Sequence, residues 1–161
     1  MHVKDLLARN QEYLKQFAYA EHTARPTKKL AIVACMDCRS TVGDVFQLKQ
    51  GDAIVIRTAG GTVDDGVLRS LIVATNALGV EHVVVMGHND CGMLGVGADP
   101  EGFAEKIGAP AELGAWLSGF TDAEQNVRDG MEKIRNHPHI AKCTVDGFMY
   151  RNETGVVEHI E

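Results

Sequence analysis

Two apolar runs, each followed at once by thiol or imidazole side chains, constrain the fold of this chain more than any other feature. The first run covers residues 30–34 and leads into Cys35, and the second covers residues 83–87 and leads into His88 and Cys91. If both runs are strands of one parallel sheet, these side chains lie at the carboxyl ends of the strands, where open α/β sheets place their ligand sites. Because Zn²⁺ prefers thiolate and imidazole ligands, the pattern predicts a metal site at that edge of the sheet.

The segment that precedes the second run predicts how the sheet is connected. A strand is predicted at residues 52–57, and Asp64 can cap a helix over residues 65–78 that Gly79 ends. The next strand, at residues 81–86, is apolar enough to be covered on both faces. A strand, a helix and a strand in this order form a right-handed crossover unit. We therefore predict an α/β fold with a mainly parallel central sheet flanked by helices.

The N-terminal part of the chain has the periodicity of an amphipathic helix. Apolar residues recur at steps of three and four over residues 3–18. This helix either covers the core of its own chain or reaches another subunit as a helical arm formed by residues 1–20, because the polar stretch over residues 20–29 can let it swing away. The sequence leaves both alternatives open.

The C-terminal part of the chain predicts short helices and a closing pair of strands. Residues 101–107 and 110–117 are predicted short helices in a region rich in glycine, alanine and proline. Thr121 begins a capping box, which predicts that the next helix starts there. Alternation over residues 142–150 and 155–160 predicts the closing strand pair.

The composition limits the classes of function. With 161 residues, of which 45% are hydrophobic and 24% charged, the chain suits a single globular domain over residues 1–161. A net charge of -6 without a basic cluster argues against nucleic acid and anionic membranes as partners and favours a small-molecule substrate. The N-terminus lacks the continuous apolar stretch of a signal peptide, so we expect a cytoplasmic protein whose four cysteines are free thiols or metal ligands.

The cysteine pattern allows three interpretations. Cys35 and Cys38 form a Cys-x-x-Cys pair that could be redox-active, although such a pair normally opens a helix. The same two cysteines could instead join His88 and Cys91 in a closed structural zinc site, which would make the protein a non-catalytic zinc or thiol-sensing module. In the third interpretation Cys38 is a small apolar filler that faces away from the metal, and the three remaining ligands leave a fourth position for water, as in catalytic zinc sites.

Two charged residues favour the third interpretation. Asp37 and Arg39 would lie beside the open position, where the planar guanidinium of Arg39 can hold a carboxylate in a fixed orientation. A closed site leaves both of them without a role.

The motifs resemble those of the β-class carbonic anhydrases. Cys-Met-Asp-Cys-Arg at residues 35–39 resembles the Cys-x-Asp-x-Arg motif of that family, and His-Asn-Asp-Cys-Gly at residues 88–92 resembles its His-x-x-Cys-Gly motif. The similarity extends through residues 63–70 to the closing strands and is greatest to the short members of the class. The resemblance implies one Zn²⁺ per chain with ligands Cys35, His88 and Cys91, beside a catalytic dyad of Asp37 and Arg39.

The resemblance also implies a reaction, the reversible hydration of CO₂ to bicarbonate by zinc-bound hydroxide. Asp37 would accept a hydrogen bond from the hydroxide, and Arg39 would keep Asp37 ionised. If the pair with Arg39 were lost, Asp37 would become the fourth zinc ligand of a closed, inactive site. Because two thiolates cancel the formal charge of the metal, we expect activity to rise above pH 7. The family's relatives include zinc hydrolases of carbonyl sulfide or carbon disulfide that release hydrogen sulfide, and this is the alternative function.

The substrate pocket and the assembly are further expectations. A small apolar substrate requires a tight pocket. We predict that Val63, Val67 and the backbone of Gly60 and Gly61 line it. Thr58 stands where the family more commonly has Asn, which affects the polarity of this wall. The resemblance implies a homodimer or a larger homo-oligomer in which the N-terminal helix wraps a partner.

Overall fold

The computed structural model describes residues 2–161 and contains one five-stranded sheet in the order β2-β1-β3-β4-β5. The strands are β1 (Leu30–Cys35), β2 (Ala53–Thr58), β3 (His82–His88), β4 (Thr144–Tyr150) and β5 (Val157–Ile160). The first four run parallel, and β5 pairs antiparallel with β4. The predicted parallel sheet is confirmed, and β4 extends it by pairing with β3 as well as closing it with β5.

The helices lie between these strands, with one preceding the sheet. They are α1 (Val3–Leu14), α2 (Val42–Val45), α3 (Asp65–Ala77), α4 (Gly92–Ala98), α5 (Pro100–Lys106), α6 (Ala111–Trp116) and α7 (Ala123–Arg135), and a 3₁₀ turn covers Ala59–Gly61. The predicted cap of α3 is confirmed, because the Asp64 carboxylate accepts the backbone N–H of Val67 at 2.9 Å.

Two details of the helices differ from the prediction. The cap of α7 is Asp122 rather than Thr121, because the Asp122 carboxylate accepts the backbone N–H groups of Glu124 and Gln125 at 2.9 and 3.0 Å. Helix α4 was not predicted, since its seven residues include glycines at 92, 95 and 97, which lower helix propensity.

The two faces of the sheet are covered unequally. Helices α3 and α7 cover one face and form the main core with alternate residues of the strands, among them Ala31, Val33, Val83, Val85, Val63, Val67, Leu71, Val127, Met131 and Ile134. The opposite face carries a smaller cluster, in which Ile32 and Met86 are buried beside α2. On this face Val55 of β2 is 43% exposed.

Helix α1 does not cover the core of its own chain. None of its residues is buried, and Leu7 is 65% exposed. The Tyr13 hydroxyl donates a hydrogen bond to Gln50 Oε1 at 2.8 Å, which ties the helix to the body of the protein. Of the two alternatives for this segment, the structure is therefore inconsistent with a helix buried on its own core.

Membrane-spanning helices are absent from residues 2–161, because none of the helices has both the length and the apolar character that a span requires.

Candidate metal centre

Three ligand-type side chains meet where β1 and β3 end. Cys35 is the last residue of β1, His88 is the last residue of β3, and Cys91 immediately precedes α4. Their ligand atoms all lie within 4.8 Å of one another, and all three residues are buried. The Cys35 and Cys91 sulfur atoms are 4.0 Å apart. Two thiolates about 2.3 Å from a tetrahedral zinc ion would be about 3.8 Å apart, so the spacing suits that ion.

The histidine ring is oriented for metal binding. His88 Nε2 is buried and has no hydrogen-bond partner within residues 2–161. The other ring nitrogen, Nδ1, lies 2.7 Å from the backbone oxygen of Asn89. A buried nitrogen without a partner normally carries a desolvation cost, which a metal ion removes by accepting the lone pair. The donor set and this free nitrogen fit zinc.

The electrostatics of the cluster favour a thiolate at Cys35. Its pKa is lowered by the hydrogen bond from Cys91, with further contributions from His88 and from the backbone N–H groups of Asp37 and Gly60, which together outweigh the effect of burial. The pKa of Cys91 is raised, because its sulfur faces the Cys35 thiolate and is itself buried. The pKa of His88 is raised, mainly by the adjacent Cys35 sulfur. A cation at the centre would remove the competition between the two sulfurs.

The predicted pair of Asp37 and Arg39 forms beside this cluster. The Arg39 side chain donates to both Asp37 carboxylate oxygens, from Nε to Oδ1 at 3.0 Å and from Nη2 to Oδ2 at 2.7 Å. These bonds hold the pKa of Asp37 well below its usual range. Asp37 Oδ2 lies 3.8 Å from His88 Nε2, so the carboxylate faces the same space as the free ring nitrogen.

Arg39 also bridges the two ligand-bearing segments. Its Nη1 donates to Asp90 Oδ2 at 2.7 Å and its Nη2 donates to the Asp90 backbone oxygen at 3.0 Å. Asp90 has a φ of 53°, which turns its backbone oxygen and side chain toward the same guanidinium. One side chain therefore fixes the carboxylate of Asp37 relative to the segment that carries His88 and Cys91.

Sequence reasoning missed Arg57, which holds the segment after β1. Its Nε donates to the Cys35 backbone oxygen at 2.9 Å, and its Nη2 donates to the backbone oxygens of Asp37 and of Ser40, the latter at 3.1 Å. The available signal was a lone arginine near the end of an otherwise apolar strand. In the sheet, Arg57 pairs with Ala34, one residue before the first ligand.

Cys38 lies apart from the cluster. It is exposed, whereas the metal-type group found within residues 2–161 contains Cys35, His88 and Cys91 only. The closed site with Cys38 as a fourth ligand is therefore wrong. Cys38 is not a packed apolar filler either, because it is exposed.

The glycine turn after β2 touches the ends of both ligand-bearing strands. Gly60 and Gly61 have φ values of 72° and 66°. A Cβ atom on Gly61 would lie 3.1 Å from the Cys35 backbone nitrogen and 3.0 Å from the Met86 backbone oxygen. The positive φ that the glycine pair predicts is confirmed, and its place in the wall of a ligand site stays a prediction.

The other residues around this turn have structural contacts. The Thr58 hydroxyl donates to the Thr62 backbone oxygen at 3.0 Å and so closes the turn. Val63 and Val67 are buried in the main core between α3 and α7. Their role in lining a substrate pocket stays a prediction.

The fold and the site together define a class of protein: a mainly parallel α/β domain with a buried Cys₂His cluster that could hold a metal ion and a carboxylate held by an arginine beside it. A family model described as carbonic anhydrase matches residues 30–147. The chain is 35% identical over 159 residues to beta-carbonic anhydrase 1 of Mycobacterium tuberculosis, covering 97% of this chain and 96% of that protein. This chain belongs to the carbonic anhydrase family.

Two further relatives place the chain within that family. The crystal structure of carbonic anhydrase from Streptococcus mutans superposes with a TM-score of 0.89 and 32% identity, covering 100% of this chain and 98% of that one. A protein named carbon disulfide hydrolase from Acidithiobacillus thiooxidans is 29% identical over 177 residues, covering 96% of this chain and 89% of its own length. The family predicted from two short motifs is confirmed.

Proposed function

We propose that this protein is a zinc lyase that reversibly hydrates CO₂ to bicarbonate. The observation that carries the proposal is the meeting of Cys35, His88 and Cys91 with the carboxylate of Asp37 beside the free Nε2 of His88. Three protein ligands leave a fourth position, which distinguishes a catalytic zinc site from a structural one.

The three ligands would hold one Zn²⁺ per chain, which when bound lowers the pKa of a water molecule so that hydroxide forms near neutral pH. Asp37 supplies the acceptor beside this position. Because Arg39 keeps its pKa low, Asp37 is a carboxylate throughout the neutral range and can accept a hydrogen bond from the attacking water. That bond aims a lone pair of the water oxygen at the carbon of CO₂.

The state of Arg39 decides whether the site is open. With both Asp37 oxygens paired to Arg39, the carboxylate is held as an outer acceptor. If Arg39 released Asp37, the carboxylate could occupy the fourth zinc position and close the site. Arg39 is therefore proposed as the residue that keeps the enzyme active.

The decisive experiment compares substrates on one zinc-loaded preparation. Hydration of CO₂ is measured by stopped-flow with a pH indicator, and release of hydrogen sulfide is measured with carbonyl sulfide and with carbon disulfide. We expect CO₂ hydration to be the faster reaction by kcat/KM. The relative named carbon disulfide hydrolase makes the alternative specific, and faster release of hydrogen sulfide would assign this chain to that reaction. The variant Cys91→Ser is the control for metal-independent turnover.

We also propose a homodimer or larger homo-oligomer in the cytoplasm. The exposed apolar residues of α1 support assembly, and so does the face of the sheet on which Val55 is exposed. Apolar surfaces of this kind are normally covered by another chain. The four free cysteines support a reducing compartment.

A further inference from the structure

The turn between β4 and β5 is hydrogen-bonded to the segment that carries His88, and Asn152 makes most of these contacts. The backbone N–H of Asn152 donates to Asn89 Oδ1 at 2.9 Å. The Asn152 side-chain nitrogen donates to the Asn89 backbone oxygen at 2.9 Å and lies 3.1 Å from His88 Nδ1. In the sequence Asn152 stands out only as the first residue of an Asn-x-Thr pattern.

The geometry around His88 fixes which ring nitrogen carries the hydrogen. Nδ1 and the Asn89 oxygen are 2.7 Å apart, a separation that is repulsive between two lone pairs and favourable only when a hydrogen lies on Nδ1. The neutral ring then has its lone pair on Nε2, the atom that faces Cys35, Cys91 and Asp37. The Asn89 oxygen thus accepts from His88 and from Asn152 together.

We propose that Asn152 is a positioning residue for the metal ligand His88. Its side-chain N–H donates to the Asn89 carbonyl at 2.9 Å and so holds the oxygen that accepts the Nδ1–H of His88. The partners of a histidine's second nitrogen orient the ring and raise its affinity for the metal. The inference rests on the proposed function, because it requires the Cys35, His88 and Cys91 cluster to bind zinc.

One feature of Asn152 distinguishes this role from simple anchoring of the turn. Its side-chain oxygen is buried and has no hydrogen-bond partner in the part of the chain that the structure describes. An apolar side chain of similar size would avoid the desolvation of that oxygen and would keep the backbone N–H bond to Asn89. The hydrogen bond from the amide nitrogen to the Asn89 carbonyl therefore best explains why an amide side chain stands at position 152.

The test measures metal binding rather than turnover. Zinc affinity is determined by competition with a chromophoric chelator for the wild type, Asn152→Leu and Asn152→Ala, which keep the backbone bond and lose the side-chain donor. We expect the zinc Kd to rise at least about 10-fold in both variants. The visible absorption of the Co²⁺-loaded protein, which reports ligand geometry, should shift in both variants.

Glu153→Ala is the matched control. It removes a bond between the same two segments, from Asn89 Nδ2 to Glu153 Oε2 at 2.7 Å, without touching His88 or the Asn89 carbonyl. We expect its zinc Kd and Co²⁺ spectrum to match the wild type. A rise in Kd smaller than 10-fold in both Asn152 variants, or an equal rise in Glu153→Ala, would overturn the positioning role. A wild type that binds no zinc would overturn the proposed function itself, which is a different result.

Discussion

At the scale of single residues, the chemistry depends on how one guanidinium is shared. Arg39 bonds both oxygens of Asp37 and also reaches Asp90, so the carboxylate and the segment with His88 are held by the same group. Charge-assisted bonds with bidentate geometry are among the strongest in proteins. Within residues 2–161 the hydrogen bonds of the Arg39 side chain go to Asp37 and Asp90 and not to Cys35, His88 or Cys91, so metal binding and activity should respond differently to its removal.

We predict that Arg39→Ala keeps its zinc and loses most of its activity. Without the guanidinium, Asp37 is free to turn toward the metal position, and kcat for CO₂ hydration should fall about 100-fold or more. Zinc content is measured by atomic emission after dialysis, and kcat by stopped-flow. Arg69→Ala, which removes an exposed arginine of α3, is the control. Loss of zinc from Arg39→Ala would mean instead that Arg39 is needed to build the site.

The pH dependence of activity should reflect the zinc water and not Asp37. Arg39 lowers the pKa of Asp37, so this carboxylate stays ionised from pH 6 to 9 and takes up a proton only far into the acid range. Because two thiolates reduce the charge of the metal, the water should ionise late and kcat should rise above pH 7. A profile of kcat at constant ionic strength tests this, and a profile that is flat from pH 6 to 9 would contradict it.

At the scale of secondary-structure elements, the glycine turn after β2 packs against the backbone of both strands that carry candidate ligands. Gly61 combines a positive φ with backbone atoms of Cys35 and Met86 at about the contact limit for a Cβ atom, whereas Gly79 has a φ of 75° and no atom within 4 Å of its Cβ position. Comparing alanine substitutions at the two positions therefore separates the free-energy cost of a left-handed backbone conformation from that of steric crowding.

We predict that Gly61→Ala is more destabilising than Gly79→Ala. The alanine at 79 should cost about 1 kcal/mol for its left-handed conformation, and the alanine at 61 should cost about 1–3 kcal/mol more, because β1 or β3 must shift. Urea unfolding of the metal-free proteins measures both. Zinc affinity should fall in Gly61→Ala alone, since the shift reaches Cys35, and equal effects in the two variants would contradict this.

The cap of α3 gives a second prediction at this scale. Asp64→Ala removes the acceptor for the Val67 N–H and should lower the free energy of unfolding by about 1 kcal/mol. Asp64→Asn keeps a side-chain acceptor and should cost much less. Thermal or urea unfolding distinguishes them, and equal losses would show that the charge rather than the cap bond matters.

The elements that sequence reasoning predicted correctly are those with local signals. The strand ending at Cys35 and the helix capped by Asp64 follow from apolar periodicity and a cap residue, which act over a few neighbouring positions. Helix α4, which begins directly after Cys91, was not predicted because its glycines at 92, 95 and 97 have low helix propensity. Propensity alone cannot detect such an element.

The sequence predicts which candidate ligands meet, together with the Asp37–Arg39 pair, and it does not predict the contacts of Arg57 and Asn152. Cys35 and His88 end neighbouring parallel strands and Cys91 comes three residues after His88, so their meeting could be inferred from the parallel sheet. Arg57 and Asn152 donate to backbone oxygens of residues 17 to 63 positions away, and such contacts leave no pattern in the sequence.

At the scale of the whole molecule, the exposed apolar face of α1 is the feature that a single chain does not explain. The exposed apolar residues are Val3, Leu6, Leu7, Tyr13 and Leu14 of α1 and Phe17, which follows the helix. An amphipathic helix gains most of its stability from packing of that face, and a short helix is marginal without it. We therefore expect the 17.4 kDa chain to form at least a dimer in solution.

The prediction is that Leu7→Glu produces monomers. A charge on the apolar face cannot be buried against a partner without a large desolvation cost, so assembly should fail while the sheet and the Cys35, His88 and Cys91 cluster remain intact. Ala8→Glu makes the same change of charge on the opposite, polar side of α1 and should leave the oligomer unchanged. Sedimentation equilibrium gives the mass, and circular dichroism confirms folding of each variant. A wild type that sediments as a monomer with full activity would show that the arm serves some other contact.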